Sequence, residues 1–311
     1  GDRTRVHALD SADGSERWER THGARALVHR AGRLYAMQED TLRALDTADG
    51  SEQWSTSFDG GLLLDAVEDY GVVLVTSYEG VYGLHADTGE QLWAVQRDPP
   101  LSSFAGFDGA YLQPTRTRLE RFAPAPSADR FSADAPEIYP WTGYSWRRPS
   151  TPVVTDQRVY LGGRPPTWVD DAAGYLSCFD RDLRSVEWRR RPPTEHTHSP
   201  AIAGERAYTT GYPPSASTSG GRIYAFDAAT GDPRWTREPG HFVGPAVVAN
   251  GTVYTGGSEP SATGRLYAVD AESGDLLWSR PTPGATTTEL AAVGETLYVG
   301  DSGTVLALAS P

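Results

Sequence analysis

The chain contains no lysine: all 28 of its basic residues are arginine, set against 41 acidic ones for a net charge of −13 over 311 residues. With so much acid, and only Arg189–Arg191 as a basic run, the surface repels phosphate backbones and nucleic acid is not an expected partner. Complete use of arginine beside abundant Ala, Gly, Asp and Thr is the composition of a GC-rich source, either a salt-adapted microbe or an actinobacterium. One cysteine, Cys178, excludes an internal disulfide and any cysteine-based metal centre. Its neighbours Leu176 and Phe179 make it a small buried hydrophobe on a strand. No apolar run approaches the roughly 18 residues of a membrane span. The chain also lacks a basic start followed by an apolar stretch, so a leader is expected to have been removed or to be absent.

Catalytic signatures are missing as well. There is no G-x-S-x-G, no H-E-x-x-H, no phosphate-binding loop ending in lysine and no glycine-rich strand-to-helix turn. Carboxylate pairs such as Asp170–Asp171 sit in loop-like sequence of a chain full of carboxylates, where they read as solvated surface.

What the chain does have is a repeat. An alternating apolar strand runs into Asp, Gly follows four residues on, and Trp follows eight residues after the Asp. The copies are Val6–Trp18, Leu42–Trp54, Val81–Trp93, Leu176–Trp188, Ile223–Trp235 and Leu266–Trp278, with a half-copy at Val305–Ala309. Asp caps its own turn, Gly supplies positive φ and the two close a hairpin. Trp18, Trp54, Trp93, Trp188, Trp235 and Trp278 then offer each repeat an apolar plate for its neighbour. His85 replaces Asp in one copy and Arg184 replaces Gly in another, substitutions expected to weaken those turns alone. Two further short strands precede most copies, among them Arg33–Met37, Val159–Gly162 and Ala207–Thr210. Four short strands per repeat and little sign of helix predict an all-β propeller of four-stranded blades over residues 1–311, with an insertion at about 122–146. Seven blades closed by both chain ends is the preferred count. Eight, with an N-terminal portion lying outside the sequence, is the alternative.

The A-x-D-x-x-T-G-x-x-x-W pattern resembles the tryptophan-docking motif of PQQ-like (quinoprotein-type) propellers, and it covers essentially the whole chain. That resemblance raises the possibility of a quinoprotein dehydrogenase. Alcohol-oxidising members look about twice as long, with a vicinal disulfide beside the cofactor and a calcium held by Glu, Asn and Asp. A lone Cys178 cannot make the disulfide, and no such calcium set can be placed. No PQQ or other cofactor is therefore expected, and the chain reads as a non-enzyme, similar to the non-catalytic PQQ-like propellers of cell envelopes.

Departures from the repeat are where binding is expected. Three units lengthen the same middle hairpin, at Gly163–Gly174, Gly211–Gly221 and Gly256–Gly264. Arg148, His196 and His241 each stand four residues before a proline (Pro152, Pro200, Pro245), which predicts equivalent positions on successive blades around a central funnel. His198 lies two residues beyond His196, on the same side of an extended segment. Imidazoles so placed suit zinc, copper or, with Arg148, an anion; solvated loop residues are the plain alternative. The insertion ends in Tyr139, Trp141, Tyr144 and Trp146, an aromatic density suited to a protein partner or a sugar, or to packing of the insertion on the ring. The sequence thus points first to an extracytoplasmic scaffold that binds a protein, and second to a small-ligand or metal receptor or sensor.

Overall fold

A computed structural model of the chain describes residues 6–9, 16–21, 26–30, 32–58, 63–69, 71–77, 80–96, 105–107, 110–114, 119–122, 148–164, 174–183, 185–194, 196–212, 220–239, 242–258, 264–282, 290–293, 296–301 and 304–309. It forms two compact units, residues 1–115 with 119–136 and residues 116–118 with 137–311. The described residues hold only antiparallel β-structure and no helix.

In the first unit, β1 (Val6–Leu9) pairs with β2 (Glu16–Arg20). A four-stranded sheet follows from β3 (Ala26–Arg30), β4 (Arg33–Gln38), β5 (Thr41–Asp46) and β6 (Glu52–Ser57). A second is made by β7 (Leu63–Asp69), β8 (Val72–Ser77), β9 (Gly80–His85) and β10 (Gln91–Gln96). Three strands, β11 (Ala105–Phe107), β12 (Ala110–Pro114) and β13 (Leu119–Phe122), make the fourth sheet. In the second unit the fifth sheet has its first strand broken into β14 (Arg148–Pro149) and β15 (Val153–Val154), followed by β16 (Arg158–Arg164), β17 (Tyr175–Asp180) and β18 (Val186–Arg190). The sixth repeats that break with β19 (His196–Thr197) and β20 (Ala201–Ala203), then β21 (Arg206–Tyr212), β22 (Arg222–Asp227) and β23 (Pro233–Arg237). The seventh is β24 (Phe242–Ala249), β25 (Thr252–Ser258), β26 (Gly264–Asp270) and β27 (Leu276–Thr282). The eighth is β28 (Leu290–Val293), β29 (Thr296–Asp301) and β30 (Thr304–Ala309). In every sheet the strands pair in chain order as a meander, the arrangement of a propeller blade. Among the described residues the first sheet holds two strands and the eighth three.

The sequence pattern accounts for the way neighbouring sheets lock. The tryptophan of each fourth strand lies opposite a small residue of the third: Ala8, Ala44, Gly83, Cys178, Ala225 and Ala268 face Trp18, Trp54, Trp93, Trp188, Trp235 and Trp278. The indole reaches the turn of the next sheet. Nε1 of Trp18, Trp54, Trp188 and Trp235 donates to the carbonyls of Thr47, Ala86, Ala228 and Ala271 at 2.8–3.1 Å. Those rings cover Gly50, Gly89, Gly231 and Gly274. Each of these glycines has φ near +70°, and a Cβ there would meet the indole at 2.4–2.7 Å, so the position requires glycine for backbone and contact alike. Arginine two residues after the tryptophan adds a second bond: Nε of Arg20 donates to Gly50 O at 2.7 Å, and Nε of Arg190 to Gly231 O at 2.6 Å. Thr56 Oγ1 does the same to Gly89 O at 2.7 Å.

The turns close as expected. Asp46, Asp227 and Asp270 accept backbone N–H bonds from residues two or three positions on. Two departures turn out to be compensated. His85 Nδ1 accepts from Asp87 N at 3.2 Å, as the aspartate oxygen does elsewhere. In the copy carrying Arg184, the positive φ moves to Leu183, at 59°, whose N–H closes on Asp180 O at 3.0 Å.

Candidate binding site

The broken first strands β14 and β19 position the funnel residues. Arg148 lies opposite Arg164, and His196 opposite Tyr212; the side chains of Arg148 and His196 lie outside the described residues, as does all of His241. In the seventh sheet the residue opposite Ser258, the counterpart of Arg164 and Tyr212, is Phe242. The same ladders pair Val153, Ala201 and Val247 with Tyr160, Tyr208 and Tyr254. Ala246, not Pro245, is therefore the counterpart of Pro152 and Pro200. Phe242 is thus the residue of the seventh sheet at the rung of Arg148 and His196. Alignment on the prolines concealed this, because proline marks the strand opening without fixing which rung it occupies.

His198 directly follows β19. Its N–H donates to Thr210 O at 2.9 Å and its ring lies 6.1 Å from that of Tyr212, tilted by 55°. The intervening Thr197 is fully buried against Gly174, where a Cβ would come within 2.3 Å of its Oγ1. The hydroxyls of Thr194 and Thr197 are buried without a hydrogen-bond partner among the described residues. Among the described residues no three His, Cys, Asp or Glu side chains come together as a metal-binding group. Tyr139, Trp141, Tyr144 and Trp146 lie outside the described residues.

Cys178 has a structural explanation. Opposite Trp188 it occupies the slot that alanine or glycine fills in the other repeats, inside a cluster with Tyr160, Leu176, Tyr224 and Phe226. Burial, with Glu187 nearby, pushes its thiol up to about 12, so it remains protonated.

The described residues include a groove that sequence reasoning missed. About 570 Å³ in volume, it lies between the fifth and sixth sheets, at the edge where first strands turn into second and third into fourth. Asp156, Gln157, Arg158, Glu205, Asp227 and Ala229 line it, with Tyr160, Ile202 and Ala228 among the lining. Its volume is that of a small-ligand site. The repeat explains its presence. Elsewhere the arginine that opens the second strand bridges to an acid in the next sheet's turn: Arg33 to Asp87 at 2.6 Å, and Arg206 to Glu272. Arg206 also donates from Nη1 to Ala271 O at 2.9 Å. At the groove the acid's place is taken by Ala229, and Arg158 folds back onto Glu187 of its own sheet at 2.5 Å. Sequence alone did not mark Ala229, since alanine also stands at that place in Ala12 and Ala48; only the register shows that Asp87 and Glu272 face an arginine of the preceding sheet and that Ala229 stands where Arg158 would meet one.

Meandering four-stranded sheets locked by tryptophan into the next turn define a PQQ-like β-propeller repeat protein. The family model described as outer membrane protein assembly factor BamB matches residues 2–117 and 172–310, and the chain belongs to that family. Similar solved structures include BamB from Moraxella catarrhalis, 15% identical over 94% of this chain and 85% of that one at a TM-score of 0.68. The computationally designed Ika8 protein is 12% identical over 99% and 91%, at 0.73. Quinohemoprotein alcohol dehydrogenase from Comamonas testosteroni is 15% identical over 95% and 67%, at 0.65. At such identities the likeness is one of fold. No curated protein sequence matches the chain significantly. No helix among the described residues is long and apolar enough to cross a membrane.

Proposed function

We propose that the chain is a non-catalytic, extracytoplasmic scaffold, a single propeller that holds a protein partner on the loops of its middle hairpins and on the aromatic insertion around Trp141 and Tyr144. The observation that carries this reading is the match, over most of the chain, to a family whose name is that of a protein assembly factor. The fold supports it. The recurrent Asp, Gly and Trp are engaged in holding sheet to sheet, which leaves the interrupting loops for recognition on a rigid support. Absence of PQQ chemistry belongs to the same proposal: a single cysteine, spent as the small residue under Trp188, cannot form the disulfide that the dehydrogenase resemblance implies.

The test is capture of envelope proteins by the immobilised chain, read together with Trp141→Ala and Tyr144→Ala. The scaffold reading expects one discrete partner, retained at least tenfold less by the variants. Equal retention by all three chains would contradict it. A receptor reading is favoured by one observation, the ring of His198 beside that of Tyr212. It expects stoichiometric zinc or copper in tag-free protein, lost in His196→Ala.

A further inference from the structure

We propose that the groove between the fifth and sixth sheets is a vacated arginine slot, and that it receives an arginine side chain from an extended segment of a partner protein. The inference rests on the scaffold reading and adds a second contact, on the edge opposite the long hairpins.

Two neighbouring repeats of the chain differ at this place. Ala271 O accepts three donors, Trp235 Nε1 at 3.1 Å, Tyr208 OH at 3.0 Å and Arg206 Nη1 at 2.9 Å. Ala228 O, its counterpart at the groove, accepts the first two, from Trp188 at 3.0 Å and Tyr160 at 3.1 Å. The third, the guanidinium, is turned away: Arg158 donates to Glu187 and to Gln157. The carbonyl that takes a guanidinium in the neighbouring copy thus has two donors here and belongs to a residue lining the groove. Around it the rim is negative. Asp156 and Glu205 are exposed carboxylates on the groove, whereas the charge of Asp227 is already met by Arg234 at 2.5 Å. Ile202, Ala228 and Ala229 offer apolar surface for an aliphatic stem. A planar, always-charged group carrying several donors matches a carbonyl flanked by carboxylates better than an ammonium does.

The test uses the full chain and two probes, acetyl-Gly-Arg-Gly-amide and the same peptide with citrulline, followed by amide NMR at low ionic strength. The arginine peptide is expected to perturb Gly204, Glu205 and Ala228–Thr230 saturably, and to bind at least tenfold more tightly than the citrulline peptide. Ala229→Glu restores the bridging acid on an exposed turn and lets Arg158 fill the slot; it is expected to weaken the arginine peptide at least tenfold with the remaining amide spectrum unchanged. Free acetyl-arginine-amide is expected to bind several-fold more weakly than the peptide, and equal binding would overturn the extended-segment part of the proposal. Equal binding of arginine and citrulline peptides, indifference to Ala229→Glu, or perturbation spread over other acidic surface would overturn the slot itself. Loss of this binding with partner capture through Trp141 intact would sink this proposal and leave the scaffold reading standing.

Discussion

At the residue scale, the small-residue slot opposite each tryptophan sets the tolerances. Trp188 is buried to 6% exposure, and Trp188→Ala is expected to cost about 3–5 kcal/mol in denaturant unfolding, the range for emptying a buried aromatic site. Trp278→Ala, at a half-buried ring, should cost less; the reverse order would contradict the docking account. Cys178→Ala should lie within about 1 kcal/mol of the parent, because alanine fills that slot in other copies, while Cys178→Leu should lose about 1–3 kcal/mol by overpacking. Native Cys178, with its thiol near 12, should label with a thiol reagent at pH 8 at least about a hundredfold more slowly than in denaturant. This scale was the most legible in sequence. Asp, Gly and Trp repeat at fixed spacing because turn and plate are local chemistry. The arginine two residues after the tryptophan was equally visible as W-x-R in four copies, but its role needs the partner carbonyl, which belongs to another sheet.

At the element scale, strand existence followed from alternation and turn residues, whereas register did not. That Phe242 stands at the rung of Arg148 and His196 is set by the ladder to Ser258, which spacing in the sequence does not fix. The groove was illegible for the same reason, since Ala229 matters through Arg158, 71 positions away in the chain. Turn chemistry carries a pH dependence. The Arg234 guanidinium, helped by the backbone N–H of Thr230, holds Asp227 down at about 2, against about 3.9 for an unfolded aspartate. A carboxyl depressed in the folded state contributes stability that is present above pH 4 and is lost as pH falls from about 4 through 2. Asp227→Asn should flatten the fall of the urea midpoint across that window. An unchanged slope would show that the turn does not carry the effect.

At the scale of the whole molecule, repetition accounts for the fold, and the proposed function is assigned to its interruptions. The sheets secure one another through contacts that recur from copy to copy, so the places where the pattern breaks are free to serve a partner: the long hairpins, the aromatic insertion and the groove where Ala229 replaces an acid. The acidic surface, −13 over the chain, suits a partner that presents basic side chains. Site-specific photocrosslinking in the native cells tests whether the hairpin face holds a protein partner. A photoreactive residue at Tyr212, on the hairpin face, should give a discrete protein adduct that disappears in Trp141→Ala. The same residue at Gln53, on the outer strand β6, should give none. A Tyr212 probe that yields no protein adduct, or adducts formed equally at Gln53, would contradict the account.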